Sequence, residues 1–182
     1  MAGPSRGVKV WDPLVRAGHW ALALSIFAAW LTRHGAGTWH EWIGYGSLAL
    51  VAWRLVYGCF GSAHARFAGF VRGPAATLDY ARLLRRGNEP RYVGHNPLGG
   101  WMVIALLATA ALAGISGWLY TTDAWWGDAR MESIHEWLAN SLLVLVAFHV
   151  TGVIVTSIRH GENLVASMLH GKKRPPAGGD VV

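Results

Sequence analysis

The chain has 182 residues, of which 53% are hydrophobic and only 14% are charged. Soluble domains carry about 25% charged residues, so this composition favours a membrane protein and argues against a soluble enzyme. The length suffices for one domain of four or five spanning helices of about 20 residues each. The net charge of +6 could indicate a nucleic-acid-binding protein, but the placement of the basic residues, given below, argues against one.

Four apolar segments are each long enough to cross a bilayer. They cover residues 14–32, 41–60, 98–120 and 135–158. The ten-residue alternating pattern of a membrane β-barrel is not seen, so the spans are expected to be helices. Between the second and third spans, residues 74–86 predict a short amphipathic helix at the cytoplasmic surface. We therefore predict an all-α integral membrane domain, a four-helix bundle, over residues 1–174, followed by a disordered tail over 175–182.

The basic residues indicate how the spans are oriented. They are concentrated in the two termini and in the long loop between the second and third spans. By the positive-inside rule, these three segments face the cytoplasm. The charge then reflects topology and contact with membrane lipid, and no nucleic-acid partner is expected. The residues concerned are Arg6, Lys9, Arg16, Arg66, Arg72, Arg82, Arg85, Arg86, Arg91, Arg159, Lys172, Lys173 and Arg174.

Histidine is the residue type that could hold a cofactor in these spans. Cys59 is the only cysteine, which excludes a disulfide framework, covalent haem attachment and cysteine-ligated clusters. His135 and His149 are fourteen residues apart in the fourth span, so they lie within roughly 40° of one helix face and about 21 Å apart along the axis. Ionisable groups inside a membrane span are costly, and a functional role is their default interpretation.

The predicted topology gives each of these two histidines a partner at its own depth. His19 lies near the cytoplasmic end of the first span, level with His149, while His40 and His135 open the second and fourth helices at the external face. Two neutral imidazoles from facing helices can hold a haem iron. His34 lies fifteen residues after His19 and could hold the outer iron instead of His40. Periodicity leaves these two alternatives open.

Other residues could complete the two haem sites. Arg16 and Arg54 at the inner level, and Arg33 at the outer level, could pair with haem propionates, although snorkelling to the interface explains each of them equally well. Gly44 follows His40 by about one turn and would leave room for a macrocycle. Small residues also serve ordinary helix packing in lipid, so neither interpretation is excluded.

Six segments between Val10 and Lys173 carry a resemblance to a known family. They are VWDPLVRAGHW, HEWIGY, RLVYGCFGS, GHNPLGG, HEWLANSLLVLVAFHV and RHGENLVASMLHGKK. Together they resemble the prokaryotic cytochrome b561 family, in particular its small di-haem membrane cytochromes, which are related to the cytochrome b subunits of nickel–iron hydrogenases. The four predicted spans are one fewer than in the hydrogenase subunits, which weakens the assignment of a hydrogenase partner.

The resemblance implies which histidines are ligands. In the family they are the histidine of an R-x-x-H-W motif, that of an H-x-x-x-G motif opening the second helix, and two on the fourth helix. These match His19, His40, His135 and His149, which favours His40 over His34. The inner haem would then lie between His19 and His149, and the outer haem between His40 and His135.

The resemblance also implies a function. Two haem b groups would carry electrons between the quinone pool, as ubiquinone or menaquinone, and a periplasmic redox partner such as a c-type cytochrome. If the transfer is catalytic, the chain is an oxidoreductase of the quinol:cytochrome type. The resemblance also implies a location in the bacterial inner membrane, and homodimerisation is compatible with this interpretation. His95 in GHNPLGG and His160 in RHGEN are candidate proton acceptors beside a quinone, although loop histidines near helix ends are more often structural.

Three other functions compete with this interpretation. A member of the wider family oxidises superoxide at the external haem and passes electrons to ubiquinone. The outer loops of this chain mix acidic with basic residues, whereas that reaction would favour a cationic funnel. A proton transporter relaying through histidines would favour discontinuous helices and repeated halves, which the sequence does not suggest. A haem-free membrane anchor would not need four histidines in two pairs.

Overall fold

The computed structural model describes residues 7–34 and 37–182. Four of its helices are long and apolar enough to cross a membrane, which confirms the all-α membrane class and the four predicted spans: Pro13–Thr32, Thr38–Phe60, Pro97–Tyr120 and Ala129–His160. The predicted amphipathic helix is also present, with its predicted bounds Pro74–Arg86. In chain order the elements are β1 (Val8–Lys9), α1 (Pro13–Thr32), α2 (Thr38–Phe60), α3 (Phe67–Phe70), α4 (Pro74–Arg86), α5 (Pro97–Tyr120), α6 (Ala129–His160), α7 (Leu164–His170) and β2 (Lys172–Lys173).

Large apolar side chains on the four long helices are exposed to the surroundings. Soluble monomers rarely expose contiguous apolar patches beyond a few hundred Å², so these side chains are suited to contact lipid. Exposed tryptophans in the first two turns of α2 and in the first third of α6 fit an interfacial aromatic belt. Examples of both groups are Leu24, Phe27, Val56, Leu112, Val144, Ile154, Ile158, Trp39, Trp42 and Trp137.

The chain divides into two compact units, which are described separately. The first combines Met1–Arg16, Tyr57–Val103 and Phe148–Val182, and the second combines Ala17–Val56 with Ile104–Ala147. We call them unit 1 and unit 2. Unit 2 contains most of α1, α2 and α5 and the first part of α6.

Small residues let the helices of unit 2 pack closely. A Cβ on Gly18 of α1 would lie 2.1 Å from Cζ3 of Trp53 on α2, so only glycine leaves room for that indole ring. A Cβ on Gly114 of α5 would lie 3.2 Å from Cδ1 of Leu48, the flexible end of a side chain on α2. Close approach at small residues stabilises helix packing in lipid through van der Waals contact.

The fourth long helix begins six residues earlier than the sequence predicted. Asp128 lies just before α6, and its Oδ1 accepts hydrogen bonds from the backbone N–H groups of Arg130 and Met131, at 2.9 Å each. An aspartate at this position stabilises a helix start by about 1 kcal/mol because it satisfies amides that have no partner within the helix. The prediction followed apolar residues and passed over this polar first turn. His135 therefore lies inside α6 and does not open it.

Unit 1 has a small apolar core of its own. Its buried members are Val10, Trp11, Val15, Ala65 and Val93. The two short strands pair antiparallel, and the carbonyl of Gly171 accepts hydrogen bonds from the backbone amides of Val10 and Trp11 at 2.9 and 3.1 Å. The segment before α1 is thereby held against the segment after α7.

The expectation of a disordered tail over 175–182 is not met. The backbone N–H of Val93 donates to the carbonyl of Val181 at 2.9 Å, and the N–H of Val181 donates to the carbonyl of Arg91 at 2.8 Å. The guanidinium of Arg91 also forms ion pairs with Asp180 and with Glu162. Buried charges are stable when they are paired in this way. This attachment could not be predicted from the sequence, because the partners are 71 and 89 residues from Arg91.

We expect the Arg91 ion pairs to be important for stability. The Arg91 side chain is only 4% exposed, so its replacement in Arg91→Met leaves two carboxylates without their main cationic partner. Removing one partner of a buried pair costs about 3–5 kcal/mol of unfolding free energy. The matched control is Arg82→Met. The ion pair that Arg82 forms with Asp79 in the parent is exposed and contributes less than about 1 kcal/mol. Unfolding in detergent measures both, and equal effects would contradict the assignment.

The ion pairs of Arg91 with Glu162 and Asp180 predict that the C-terminal tail is released in acid. Burial by itself would raise the pKa of the Glu162 carboxyl. Hydrogen bonds from Arg91 and from the backbone N–H of Arg174, together with the charge of Lys173, outweigh burial and lower this pKa. The backbone N–H of Ala177 and the Arg91 guanidinium likewise lower the pKa of the Asp180 carboxyl. Carboxyl groups with a lowered pKa stabilise the fold above about pH 4 and lose that contribution as the pH falls further. We expect an acid-stable carboxypeptidase to remove residues 175–182 quickly below about pH 4 and slowly at pH 7.

Candidate functional site

Unit 2 brings together His40 of α2 and His135 of α6. Their ring centroids are 6.0 Å apart and the ring planes are inclined at 84°. When two imidazoles bind one metal ion from opposite sides, each metal–nitrogen bond is about 2 Å long. Adding the distance from each nitrogen to its ring centre separates the two ring centroids by roughly 6 Å. The separation therefore suits two imidazoles that bind one metal ion from opposite sides.

Each imidazole has one nitrogen fixed by the backbone of a neighbouring helix. Nδ1 of His40 lies 3.0 Å from the carbonyl oxygen of Ala29, and Nδ1 of His135 lies 3.0 Å from that of Ala113. A carbonyl oxygen can only accept, so Nδ1 carries the proton in both neutral rings and donates it. Nε2 is then the nitrogen with the free lone pair in each ring, as metal ligation requires.

Two glycines leave room around these rings. A Cβ on Gly117 would lie 2.9 Å from Cε1 of His135, so the imidazole rests directly on the backbone of α5. Gly44 lies one turn after His40 on α2, and a Cβ there would meet nothing within 4 Å. The space beside Gly44 is compatible with a flat ligand next to His40.

The donor set itself suits haem. Among residues 7–34 and 37–182, no three His, Cys, Asp or Glu side chains converge as a metal site. Two imidazole nitrogens alone leave the remaining coordination positions of an iron to another ligand, and a porphyrin supplies four nitrogens. Histidine is one of the protein ligands that hold haem iron.

Three further histidines are candidate ligands by sequence: His34, His19 and His149. His34 lies in the turn after α1 and is exposed, so His135 faces His40 and not His34. His19 lies on α1 in unit 2, with its ring at the edge of the Trp20 ring and centroids 5.1 Å apart. His149 is half-buried on α6 in unit 1. The pairing of His19 with His149 stays a prediction.

The predicted propionate partners have local contacts. Arg33 stacks over the Trp30 ring, 4.4 Å from its centroid, and donates to the Trp30 carbonyl at 2.9 Å. Arg16 donates from Nη1 to the carbonyl of Leu169. Arg54 lies on α2, in the part of that helix that belongs to unit 2. Pairing of any of these arginines with a propionate stays a prediction.

The candidate quinone-site histidines both lie in unit 1. His95 lies between two aromatic rings, with centroids 4.8 Å from Trp11 and 4.5 Å from Phe70. It lines a cavity of about 40 Å³ that His64 also lines. That volume holds a water molecule but not a quinone ring. His160 is the last residue of α6.

The profile of the prokaryotic cytochrome b561 family matches residues 10–171. The chain belongs to this family. No curated protein and no solved structure matches it. Membership makes the chain a haem-binding membrane b-type cytochrome that functions in electron transfer. The match extends over all four candidate spans and over every histidine predicted as a ligand.

Four groups around the two rings were not predicted from the sequence. Two of them are the carbonyls of Ala29 and Ala113. The other two are hydroxyls: that of Thr32 lies 3.4 Å from Nδ1 of His40, and that of Ser116 lies 3.3 Å from Nδ1 of His135. Backbone carbonyls leave no mark in a sequence. Ser116 stands between the small residues Gly114 and Gly117 on α5, a pattern that ordinary helix packing also explains. Nothing in the sequence distinguishes Thr32.

The contact with Gly117 leads to a prediction about this cytochrome. Gly117→Ala places a methyl group against the His135 ring, which the Ala113 carbonyl holds in place, so we expect loss of most of the haem bound through His135. For Gly114→Ala, one turn earlier on α5, the tightest contact is with Cδ1 at the flexible end of Leu48, 3.2 Å away, so this variant should keep its haem. Alanine favours the helix at both positions, by about 1 kcal/mol. Equal haem content in the two purified variants would contradict the proposed contact.

Proposed function

We propose that the chain holds two haem b groups and carries electrons through the membrane between the quinone pool and a periplasmic redox partner. The observation that supports this best is the pair formed by His40 and His135. Its two rings have the spacing of two ligands of one metal ion and expose Nε2 in the same tautomeric state. Haem b bound there would supply one-electron exchange between ferric and ferrous iron.

The protein residues fix the geometry of this outer site. The carbonyls of Ala29 and Ala113 hold the Nδ1–H of His40 and of His135, so neither ring can rotate or change tautomer without losing a hydrogen bond. Rings that are already oriented lower the reorganisation that accompanies electron transfer. Gly117 lets the His135 ring approach α5 closely, and Gly44 leaves space beside His40.

A second haem is proposed between His19 and His149. His149 follows His135 by fourteen residues on the unbroken helix α6, a separation of about 21 Å along the axis. His19 lies in an R-x-x-H-W motif, which is the first-ligand motif that the family resemblance implies. Two haems at this separation would form a path for electrons across most of a bilayer core of about 30 Å.

The proposed orientation follows the charges. The loop that contains α4 and the segment after α6 carry most of the arginines and lysines, so they are assigned to the cytoplasm by the positive-inside rule. The pair His40 and His135 then lies on the periplasmic side, where a c-type cytochrome or a similar carrier would exchange electrons. The inner haem would exchange electrons with ubiquinone or menaquinone.

We propose that a histidine of unit 1 accepts a proton that quinol releases when it is oxidised. His95 is enclosed by Trp11 and Phe70 and borders a cavity large enough for water, so it could pass a proton through water more readily than contact a quinone ring. His160 ends α6 and stays the alternative acceptor. His95→Gln and His160→Gln separate the two, since only the acceptor's loss should slow haem reduction by quinol.

The transfer itself is tested by reduction of the haems in proteoliposomes. We expect a quinol in the membrane to reduce the haems and external ferric cytochrome c to reoxidise them. A parallel sample receives superoxide outside and ubiquinone in the membrane. Faster haem reduction by superoxide than by quinol would replace the proposed function with superoxide oxidation. A protein whose haems respond to neither reagent would contradict both functions.

A further inference from the structure

We propose that Thr32 and Ser116 are positioning residues that set the reduction potential of the outer haem through its two histidine ligands. This inference rests on the proposed ligation by His40 and His135. Both hydroxyls lie in unit 2, and each stands beside the carbonyl that its histidine contacts. We call each carbonyl and hydroxyl together a clamp: Ala29 with Thr32, and Ala113 with Ser116.

The first clamp is formed by the end of α1. Nδ1 of His40 lies 3.0 Å from the carbonyl oxygen of Ala29 and 3.4 Å from Oγ1 of Thr32. Oγ1 itself donates to the carbonyl of Ala28 at 2.8 Å, with the Ala29 carbonyl at 3.2 Å. Since the hydroxyl proton points at the backbone, a lone pair of Oγ1 is left to face the His40 ring.

The second clamp repeats this arrangement on α5. Nδ1 of His135 lies 3.0 Å from the carbonyl oxygen of Ala113 and 3.3 Å from Oγ of Ser116. Oγ donates to the same Ala113 carbonyl at 3.0 Å, and Ser116 is buried. In both clamps the hydroxyl belongs to the third residue after the carbonyl, so one helical turn supplies both oxygen atoms.

The direction of each hydrogen bond follows from the atoms. A deprotonated Nδ1 would place its lone pair against a carbonyl oxygen at 3.0 Å, which is repulsive. Nδ1 therefore keeps its proton and shares it between the carbonyl and the hydroxyl oxygen. The hydroxyl cannot donate to Nδ1 at the same time, because its one proton is directed at the backbone.

A clamped N–H changes the electronic character of the ligand. Each acceptor on the Nδ1 proton makes the imidazole a stronger electron donor at Nε2, and a stronger donor favours ferric over ferrous iron. The two hydroxyls thus lower the potential of the outer haem. The effect of Ser116 should be the larger, because Ser116 is buried whereas Thr32 is half-buried, and polar interactions are stronger away from solvent.

Redox titration of the purified full chain tests the proposal. Thr32→Val and Ser116→Ala remove one hydroxyl each, whereas Thr32→Ser and Ser116→Thr keep it. The controls are Thr122→Val and Ser133→Ala, whose hydroxyls donate only to helix carbonyls of Leu119 and Ala129. The readouts are the midpoint potential of each haem and the electron paramagnetic resonance signal of the ferric outer haem.

The expected result is a rise in the potential of the outer haem in Thr32→Val and a larger rise in Ser116→Ala. The ferric signal should change with it, and the inner haem should keep its potential. The hydroxyl-retaining variants and both controls should match the parent. Unchanged potentials in both hydroxyl-free variants, or equal shifts in the controls, would overturn the proposal while leaving haem ligation intact. A parent protein without an outer haem would instead refute the proposed function.

Discussion

His135→Ala is expected to reduce the haem content from two groups per chain to one. The imidazole of His135 is one of two nitrogens proposed to hold the outer iron, and alanine supplies no replacement ligand. The half-buried ring also fills the space against Gly117, which a methyl group leaves empty. Haem is measured as the pyridine complex per mole of protein, and the reduced-minus-oxidised spectrum identifies which haem remains.

The matched control for this variant is His34→Ala. His34 could hold the outer iron by sequence periodicity, but it lies in an exposed turn and does not face His135. We expect His34→Ala to retain both haems and His40→Ala to lose the same haem as His135→Ala. Loss of a haem in His34→Ala with retention in His40→Ala would reverse the choice of ligand.

His149→Ala is expected to remove the other haem. His135 and His149 lie on one unbroken helix, and each is proposed to serve a different iron. The haem that remains in His149→Ala should have the spectrum and midpoint potential of the haem that is lost from His135→Ala. The double variant, with both histidines replaced, should bind no haem while α6 still forms, because alanine is the residue with the highest helix propensity.

His170→Ala is the control for the second haem. This histidine is exposed at the end of α7, where its Nδ1 accepts a hydrogen bond from the backbone N–H of Lys172. Its replacement should keep two haems. If His149→Ala and His135→Ala lost the same haem, the fourth helix would hold a single site, and the proposed path through the membrane would fail.

The helices were predictable from the sequence because apolar length and flanking charge determine where a chain crosses a membrane. The bounds of α4 were predicted correctly because Pro74 and Gly87 mark its two ends. The start of α6 was wrong because its first turn is polar and is stabilised by Asp128, a contribution that hydropathy does not detect.

The outer site was predictable only in part. A histidine can be assigned to a helix face by counting residues, and the family motif favoured His40 over His34. The tautomers could not be predicted, since they depend on the backbone carbonyls of Ala29 and Ala113. The attachment of the C-terminal tail was missed for a related reason. It depends on Arg91, whose ionic partners are distant in sequence and become neighbours only in the folded chain.

The haem content of the purified chain tests the central claim most directly. The protein is extracted in a mild detergent that preserves its fold. The haem content per mole of protein and the reduced-minus-oxidised absorption spectrum are then measured. We predict two b-type haems per chain with two separable midpoint potentials. A folded protein that contains no haem would contradict the account, and a single haem would reject the proposed pairing of His19 with His149.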